Sequence, residues 1–458
     1  MLTSNSNPGG DAGKVTTDPK SVCVVATMQN PMLGTLEMQS ESPAEDCCQL
    51  EVITEPNFVD SSLNISNSRL MSAFLVLNSM IGSGIFNQPY VFSRAGLGSA
   101  ILLITVTAVF VYLGIIALVE ASIHTSTDDF SALGRVCLGR GGELAVDVSI
   151  IISSVGSIMS YVAVIGHLAS TLLASWGWSY AENDGVYLIT SLMIFAFVMP
   201  FCAHRYFGHF AFISVLSMGS VCCVILLLVV VGPIITAGTV VTNKFFIQNG
   251  ALGQLGSIIF ALNCAPSVLP TYKYIEKEHQ NSEGWRQIAL TSTAAGYIMI
   301  LVMGLIGYLM FGDKTEEIII MNFRGHYADV FKILLIVHLI LYTPLDFLVL
   351  RQSVLRVIGI KSGLLLSQKI NIITTIVILG GTMLYCCHVF SSFNYILNHV
   401  MSCHVMSCHV MSCHVILILC CRVLLHSIGL HLLLLCFILL YCISLYCTEL
   451  HSPSFNSI

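Results

Sequence analysis

The chain has 458 residues, of which 55% are hydrophobic and only 10% are charged, and its formal net charge is −6. Soluble globular proteins carry about 25% charged residues, so a chain with this composition and a mean hydropathy of +0.84 cannot cover its surface with polar groups. The composition excludes disorder over most of the length, a soluble multidomain enzyme, and a protein that binds nucleic acid through basic charge. It predicts a polytopic membrane protein whose main partner is the lipid bilayer.

Residues 1–69 are polar and rich in Ser, Asn, Thr and Pro. The segment contains no basic stretch followed by an apolar stretch, so it does not have the pattern of a cleavable signal peptide. Its composition predicts a disordered N-terminal tail.

Nine apolar blocks follow, and each is close to the length that crosses a hydrocarbon core of about 30 Å as a helix. They lie at residues 70–92, 97–123, 144–175, 185–203, 210–235, 251–271, 287–311, 327–350 and 370–390. With a cytoplasmic N-terminus, the inner segments hold eleven basic residues: Arg69, Arg135, Arg140, Arg205, Lys273, Lys277, Arg286, Arg351, Arg356, Lys361 and Lys369. The outer segments then hold four: Arg94, Lys244, Lys314 and Arg324. This excess predicts a cytoplasmic N-terminus, and the span count argues against a seven-helix receptor.

The first and sixth blocks contain helix breakers. Gly82-Ser83-Gly84 and Pro89 interrupt the first block, and Pro266 and Pro270 follow Asn263-Cys264 in the sixth. Unwound backbone in lipid is costly unless it faces a cavity. The two interrupted blocks are five spans apart and so have opposite orientations, which is the pattern of an inverted-repeat secondary transporter. The alternative is that these residues only kink helices for packing.

The ends of interrupted helices favour particular ligands. Exposed amides at a helix N-terminus favour a carboxylate, and carbonyl groups at a C-terminus favour a cation. A zwitterionic amino acid with a small cation fits both, so residues 70–390 are predicted to be a transporter core.

Three segments of this core resemble the sodium-coupled neutral amino acid transporter family of the amino acid/auxin permease superfamily. The most specific likeness is the segment 78–96, where Asn is followed by Gly-Ser-Gly, Pro-Tyr and Ala-Gly. Residues 307–313 and 342–351 add support. Phe86-Asn87-Gln88 departs from the family, which usually has small and apolar residues before the proline. The resemblance implies a fold like that of the bacterial leucine transporter, with an inverted five-helix repeat and about 11 spans.

The resemblance also implies a site for co-transported sodium. Asn78 would supply a side-chain oxygen, a carbonyl around Ile81 would supply another, and Thr343 or its neighbour Tyr342 would complete the set. Two structural alternatives remain open. The Asn78 side chain could form an interhelical hydrogen bond, and the Thr343 hydroxyl could satisfy a carbonyl that Pro344 leaves without a donor.

For the amino acid, the resemblance implies contacts from both interrupted helices. Gly82, Ser83 and Gly84 would present backbone amides to the substrate carboxylate. Asn263 and Cys264 would face its amino group or side chain.

Other polar residues inside the spans are functional hypotheses by default. His167 and His338 are candidates for proton coupling, because imidazole titrates near neutral pH, although a histidine satisfied within the core is the alternative. Asp346 is expected to pair with Arg351 or Lys332, and a place near Thr343 at the site is the alternative.

Residues 391–458 do not follow the pattern of the core. Val-Met-Ser-Cys-His occurs three times between residues 400 and 414, which suggests metal binding. On a helix, however, a five-residue period turns each Cys-His pair by about 140°, so the pairs do not share a face. The apolar stretch that follows resembles nothing in the last two spans of the family. We interpret this atypical segment as a gene-model or reading-frame artefact.

These observations favour a secondary active transporter that imports or exports small neutral L-amino acids with sodium. Two alternatives remain, a non-transporting sensor or degenerate homologue and a proton-coupled amino acid permease. An enzyme is not expected, because the chain has no cluster of nucleophile, base and orienting group and no phosphate-binding motif. Plasma membrane and lysosomal membrane are equally compatible with the sequence.

Overall fold

A computed structural model describes residues 66–178, 185–203, 210–235, 251–323, 325–360 and 368–390. The expectation of a disordered tail lies almost wholly outside these residues. The atypical segment 391–458, with its Cys-His repeat, lies outside them entirely.

Secondary structure in the described ranges is helical, apart from an isolated bridge between Asn67 and Ile275. The α-helices are α1 (Arg69–Met80), α2 (Gln88–Ala95), α3 (Leu97–Thr125), α4 (Phe130–Ser175), α5 (Val186–Met193), α6 (Met199–Cys202), α7 (Phe210–Ile235), α8 (Leu255–Leu262), α9 (Ala265–Lys273), α10 (Ser282–Phe311), α11 (His326–Val357) and α12 (Gln368–Phe390). A π-helical segment, Ile194–Val198, joins α5 to α6. Short 3-10 helices occupy Ser83–Asn87, Leu252–Gln254, Lys277–His279, Gly312–Lys314 and Ile319–Asn322.

Each of the nine apolar blocks is helical, which confirms the prediction of an all-α polytopic protein. Six described helical segments are long and apolar enough to cross a membrane, and the bent pair Arg69–Met80 with Ser83–Ala95 makes a seventh. Val186–Cys202 and Lys369–Met383 are shorter apolar helices. The expected total of about 11 spans and the inverted repeat stay predictions.

Both predicted interruptions are present. α1 ends at Met80, and the chain bends by 54° before it continues through Ser83–Ala95. α8 ends at Leu262, where Asn263 is extended, and α9 begins at Ala265 with Pro266 in its first turn. Proline suits that position because the first turn of a helix has no donor to lose. The breakers therefore end and restart helices within the two spans.

Long helices pack around the two interrupted spans. α11 packs against α4 and α7, and α10 packs against α1, α2 and α3. α11 is the most deeply buried of the six long apolar segments. Its polar side chains consequently face other helices rather than lipid. Functional polar groups of membrane proteins lie in the interior of the helix bundle in this way.

An ion-pair network joins the C-terminal end of α11 to α4 and to the residue that precedes α4. The Arg356 guanidinium lies 2.8 Å from Asp129 Oδ2 and 2.9 Å from Asp147 Oδ1. The Ser131 hydroxyl donates to Asp147 Oδ1 at 2.6 Å. Since the Asp147 side chain is only 3% exposed, its hydrogen bonds come from these protein donors rather than from water.

We expect Arg356→Met to destabilise the fold by about 3 kcal/mol, because it leaves buried Asp147 without its cation. Thermal unfolding of the purified protein in detergent measures this loss. The matched control is Arg135→Met, which removes an ion pair with Glu143 in which the arginine side chain is 60% exposed. That variant should lose less than about 1 kcal/mol. Equal losses in the two variants would contradict the structural role of the buried network.

Candidate functional site

A polar cavity lies where the two interrupted spans meet α4 and α11. Most of its lining side chains carry hydroxyl groups: Ser79, Ser153, Ser154, Ser157, Tyr161, Ser267 and Tyr342. Phe260 and Pro266 contribute apolar surface, and Asp346 contributes a carboxyl group. A pocket that gathers polar side chains from both interrupted spans and from two long helices is the default position of a binding site, so the cavity is the candidate site.

Three of the five residues predicted to bind substrate line this cavity: Gly82, Asn263 and Cys264. Ser83 and Gly84 lie next to it in the 3-10 segment, and both are buried. The Ser83 hydroxyl has no hydrogen-bond partner among the described residues. The structure therefore brings the predicted residues of the two interruptions together.

Glycine at positions 82 and 84 allows the backbone to approach its neighbours closely. A Cβ atom on Gly82 would lie 3.1 Å from Cζ of Tyr342 and 3.3 Å from the Tyr161 hydroxyl. A Cβ atom on Gly84 would lie 2.9 Å from the Phe260 ring and 3.0 Å from the Cα of residue 261. A side chain at either position would displace the cavity wall.

Tyr342 fixes the end of α1. Its hydroxyl donates to the Ser79 carbonyl at 3.0 Å, one of the carbonyl groups that have no partner within the helix. The Tyr161 ring meets the Tyr342 ring edge-on, with centroids 5.2 Å apart. Tyr342, the predicted alternative to Thr343 as a sodium ligand, therefore lines the cavity and holds the first interruption.

Asn78, predicted to bind sodium, is fully buried in α1. Its Nδ2 donates to the Ser214 hydroxyl of α7 at 3.2 Å, so the alternative interhelical hydrogen bond is present. Its Oδ1 has no hydrogen-bond partner among the described residues, and a buried acceptor left in that state costs about 1–3 kcal/mol. Ile81 follows at the end of α1, where carbonyl groups lack intrahelical partners. Oxygen atoms suitable for a cation are therefore concentrated in this short stretch.

Thr343 is buried in α11, and its hydroxyl donates to the Leu339 carbonyl at 2.6 Å. Pro344 lacks the N–H that would bond the Ile340 carbonyl. The Thr343 hydroxyl bonds the neighbouring carbonyl of Leu339, not the Ile340 carbonyl that proline leaves without a donor. Donation to a carbonyl leaves the lone pairs of the Thr343 oxygen available. Neither Asn78 nor Thr343 lines the cavity itself.

Asp346 does not pair as the sequence predicts. The Tyr161 hydroxyl donates to its Oδ2 at 3.0 Å, and Arg351 donates to the Cys202 carbonyl and to Thr375 at 2.9 and 3.2 Å. Within the described ranges no ion pair involves Asp346. The expected partnership with Arg351 or Lys332 is wrong, and the cavity holds the carboxyl group instead.

His338 lies beside the first interruption. Its Nδ1 is 2.8 Å from the Ser217 hydroxyl, and its ring centroid is 6.1 Å from that of Phe86 and 5.7 Å from that of Tyr342. Its buried Nε2 has no hydrogen-bond partner in the described part of the chain. The other histidine considered, His167, lies in α4 and does not line the cavity.

The polar wall that α4 contributes was not predicted. Its lining residues are Ser153, Ser154, Ser157 and Tyr161. The available signal was local, since four serines and a glycine fall within residues 153–160 of an otherwise apolar span. Small and hydroxyl-bearing residues concentrated in this way are typical of a helix face buried against other helices.

Paired discontinuous helices around a buried polar cavity, within a bundle of apolar helices, are typical of membrane transporters. The model of the family described as "Transmembrane amino acid transporter protein" matches residues 66–364. Because the match covers more than half of the chain, the protein belongs to this family, whose members are membrane transporters rather than enzymes.

Two relatives illustrate the relationship. The chain is 24% identical to "Sodium-coupled neutral amino acid symporter 2" of Danio rerio in an alignment of 329 residues that covers 63% of this chain. That alignment spans 63% of the symporter's length. The chain is 23% identical over 315 residues to "Amino acid transporter AVT6C" of Arabidopsis thaliana, which covers 62% of this chain and 70% of that protein.

Proposed function

We propose that the protein is a secondary active transporter that moves small neutral L-amino acids across a membrane together with sodium. The observation that carries the proposal is the polar cavity bounded by both interrupted spans. Membership of an amino acid transporter family supports the class of substrate. The likeness to a protein named as a sodium-coupled neutral amino acid symporter supports the choice of cation and of a neutral substrate.

In this proposal the two interrupted spans hold the amino acid. The backbone amides of Gly82, Ser83 and Gly84 bind the carboxylate, as helix starts and unwound turns do for anions. Asn263 and Cys264, at the junction of α8 and α9, contact the rest of the amino acid. Since both segments line one cavity or adjoin it, a single small substrate can touch both.

Sodium binds beside this cavity, to Asn78 Oδ1, the Ile81 carbonyl and the Thr343 hydroxyl. Small hard cations prefer several oxygen ligands, and neutral oxygens bind sodium weakly enough to release it later in the cycle. The unpartnered Oδ1 of Asn78 supports this assignment. The charge bias of the loops supports a cytoplasmic N-terminus, in either the plasma or the lysosomal membrane.

We expect Thr343→Val to raise the sodium concentration needed for half-maximal uptake about tenfold, because valine keeps the shape but removes one oxygen ligand. Thr343→Ser is the matched variant that keeps the hydroxyl, and it should stay within about threefold of the wild type. Sodium titration of labelled L-alanine uptake measures both values. If the valine variant titrates like the wild type, the hydroxyl serves only the Leu339 carbonyl.

Proton coupling is the second candidate, and the buried Nε2 of His338 beside the first interruption favours it. Uptake of labelled L-alanine into vesicles distinguishes the candidates when a sodium gradient and a pH gradient are imposed separately on the wild type and on Asn78→Ala. The proposal predicts that only the sodium gradient drives uptake and that Asn78→Ala loses the response. Uptake that follows the pH gradient and ignores sodium would identify proton coupling. Binding of L-alanine without flux would identify a sensor.

A further inference from the structure

Among the described residues, Asp346 of α11 is the acidic residue that lines the cavity. Its carboxyl group receives a hydrogen bond from Tyr161 at 3.0 Å. Within the described ranges no lysine, arginine or histidine nitrogen lies within the 4.0 Å of an ion pair. A carboxylate in a membrane span is costly without a cation. The described residues therefore provide the Asp346 carboxyl group with a hydroxyl donor but with no positively charged side chain. The position beside the carboxyl group is available to a bound cation.

The position of the carboxyl group relative to the first interruption suggests which cation belongs there. The Tyr161 hydroxyl that donates to Asp346 lies 3.3 Å from the point where a Cβ on Gly82 would stand. One hydroxyl group therefore separates Asp346 from the backbone of the interruption. Asn263 and Ser267 of the other interrupted span line the same cavity, so a small ligand at Asp346 also reaches that span.

The ammonium and carboxylate groups of an α-amino acid are bonded to the same carbon atom. If the amides of residues 82–84 hold the carboxylate, the ammonium group lies only a few ångströms away, within the part of the cavity that Asp346 lines. We propose that the Asp346 carboxylate pairs with the α-ammonium group of the substrate and that Tyr161 is the residue that positions it. This inference rests on the proposed function and adds to it the group that makes the site specific for α-amino acids.

The test compares two ligands that differ at one group. L-Alanine carries an ammonium group where L-lactate carries a hydroxyl, and both have the same carboxylate and methyl group. With the full chain in detergent and sodium present, we expect alanine to bind at least about 30-fold more tightly than lactate, as for other buried charge pairs. Asp346→Asn should lose about that factor for alanine while lactate stays within about threefold. The preference between the ligands should then disappear.

Three further variants separate the charge pair from a folding defect. Asp346→Glu keeps the carboxylate and should keep the preference for alanine. Tyr161→Phe removes the hydrogen bond to the Asp346 carboxylate and should weaken the binding of alanine more than the binding of lactate. Loss of a tyrosine with only a structural role would weaken the binding of both ligands equally. The matched control is Asp329→Asn, which alters an acidic residue of the same helix that accepts a hydrogen bond from Ser175 and does not line the cavity. It should change neither affinity.

Two results would overturn the inference directly: alanine binding unchanged in Asp346→Asn, or alanine and lactate weakened by the same factor. A third would be tighter binding of L-lysine than L-alanine to the wild type, with only that advantage lost in Asp346→Asn. The carboxylate would then serve a substrate side chain. If the unmodified protein binds no amino acid, the proposed function itself fails and the inference falls with it. That outcome is distinguishable because it concerns the wild type alone.

Discussion

Gly84→Val is expected to reduce amino acid uptake at least about 100-fold. The Cβ of the new side chain would stand 2.9 Å from the Phe260 ring and 3.0 Å from the Cα of Ala261. The ring can rotate, but the backbone of α8 cannot move aside cheaply, and overpacking of this kind costs about 1–3 kcal/mol. The strain is relieved by separating the first interruption from α8, which moves the amides that we propose bind the substrate carboxylate away from the second interruption. Small displacements of a site can cost two orders of magnitude in rate.

Initial rates of labelled L-alanine uptake into proteoliposomes measure this effect, with the amount of inserted protein determined in parallel. Gly114→Val is the matched control, because a Cβ on Gly114 of α3 has no atom of the described residues within 4 Å. Its uptake should stay within about twofold of the wild type. Gly84→Ala should fall between the two valine variants. Near-normal uptake by Gly84→Val would show that the close contact between the first interruption and α8 is not needed for transport.

Asn78→Leu is expected to abolish the dependence on sodium while the fold remains as stable as the wild type in sodium-free buffer. In the wild type, the buried Oδ1 of Asn78 has no hydrogen-bond partner among the described residues. Sodium would satisfy this oxygen. Leucine removes the unsatisfied acceptor and also the hydrogen bond to Ser214, and because each contributes about 1–3 kcal/mol with opposite sign, the two effects on stability offset each other. The wild type should therefore melt at a higher temperature in sodium buffer than in choline buffer, whereas the variant should melt at the same temperature in both.

Ser214→Ala provides the control for this experiment. It removes the hydroxyl that accepts from Asn78 Nδ2 at 3.2 Å but leaves Oδ1 in place. The sodium-induced shift in melting temperature should persist in Ser214→Ala, although its midpoint should move to higher sodium concentration. A sodium response that survives in Asn78→Leu would exclude Asn78 as a ligand and leave its hydrogen bond to α7 as its function.

The interruptions were predictable because glycine and proline act locally. Gly82 and Gly84 remove helix propensity at their own positions, and Pro266 removes a backbone donor at its own position. The apolar blocks were predictable for a similar reason, since hydropathy over about 20 residues determines which segments enter lipid. These local rules predicted the breaks that end α1 and α8 and begin α9. The family resemblance, not the local rules, implied that Gly82, Asn263 and Cys264 serve one site, and the three residues line the same cavity.

The partners of the cavity residues were not predictable from local rules. Tyr342 bonds Ser79 across 263 positions, and Tyr161 bonds Asp346 across 185. Such contacts depend on which helices are neighbours, and periodicity within one helix does not specify that. The expected pair of Asp346 with Arg351 also neglected helix geometry, because five residues turn a helix by about 140°. Arg351 instead faces Cys202 and Thr375.

Gradient-driven uptake shows whether a sodium gradient powers amino acid transport by this protein. The full chain is reconstituted in vesicles that contain no sodium, labelled L-alanine is added outside, and an inward sodium gradient is imposed or omitted at constant pH. We expect alanine to accumulate inside above its external concentration and to flow out again when an ionophore dissipates the sodium gradient. Alanine that only equilibrates across the membrane, or accumulation that a pH gradient drives equally well without sodium, would contradict this expectation.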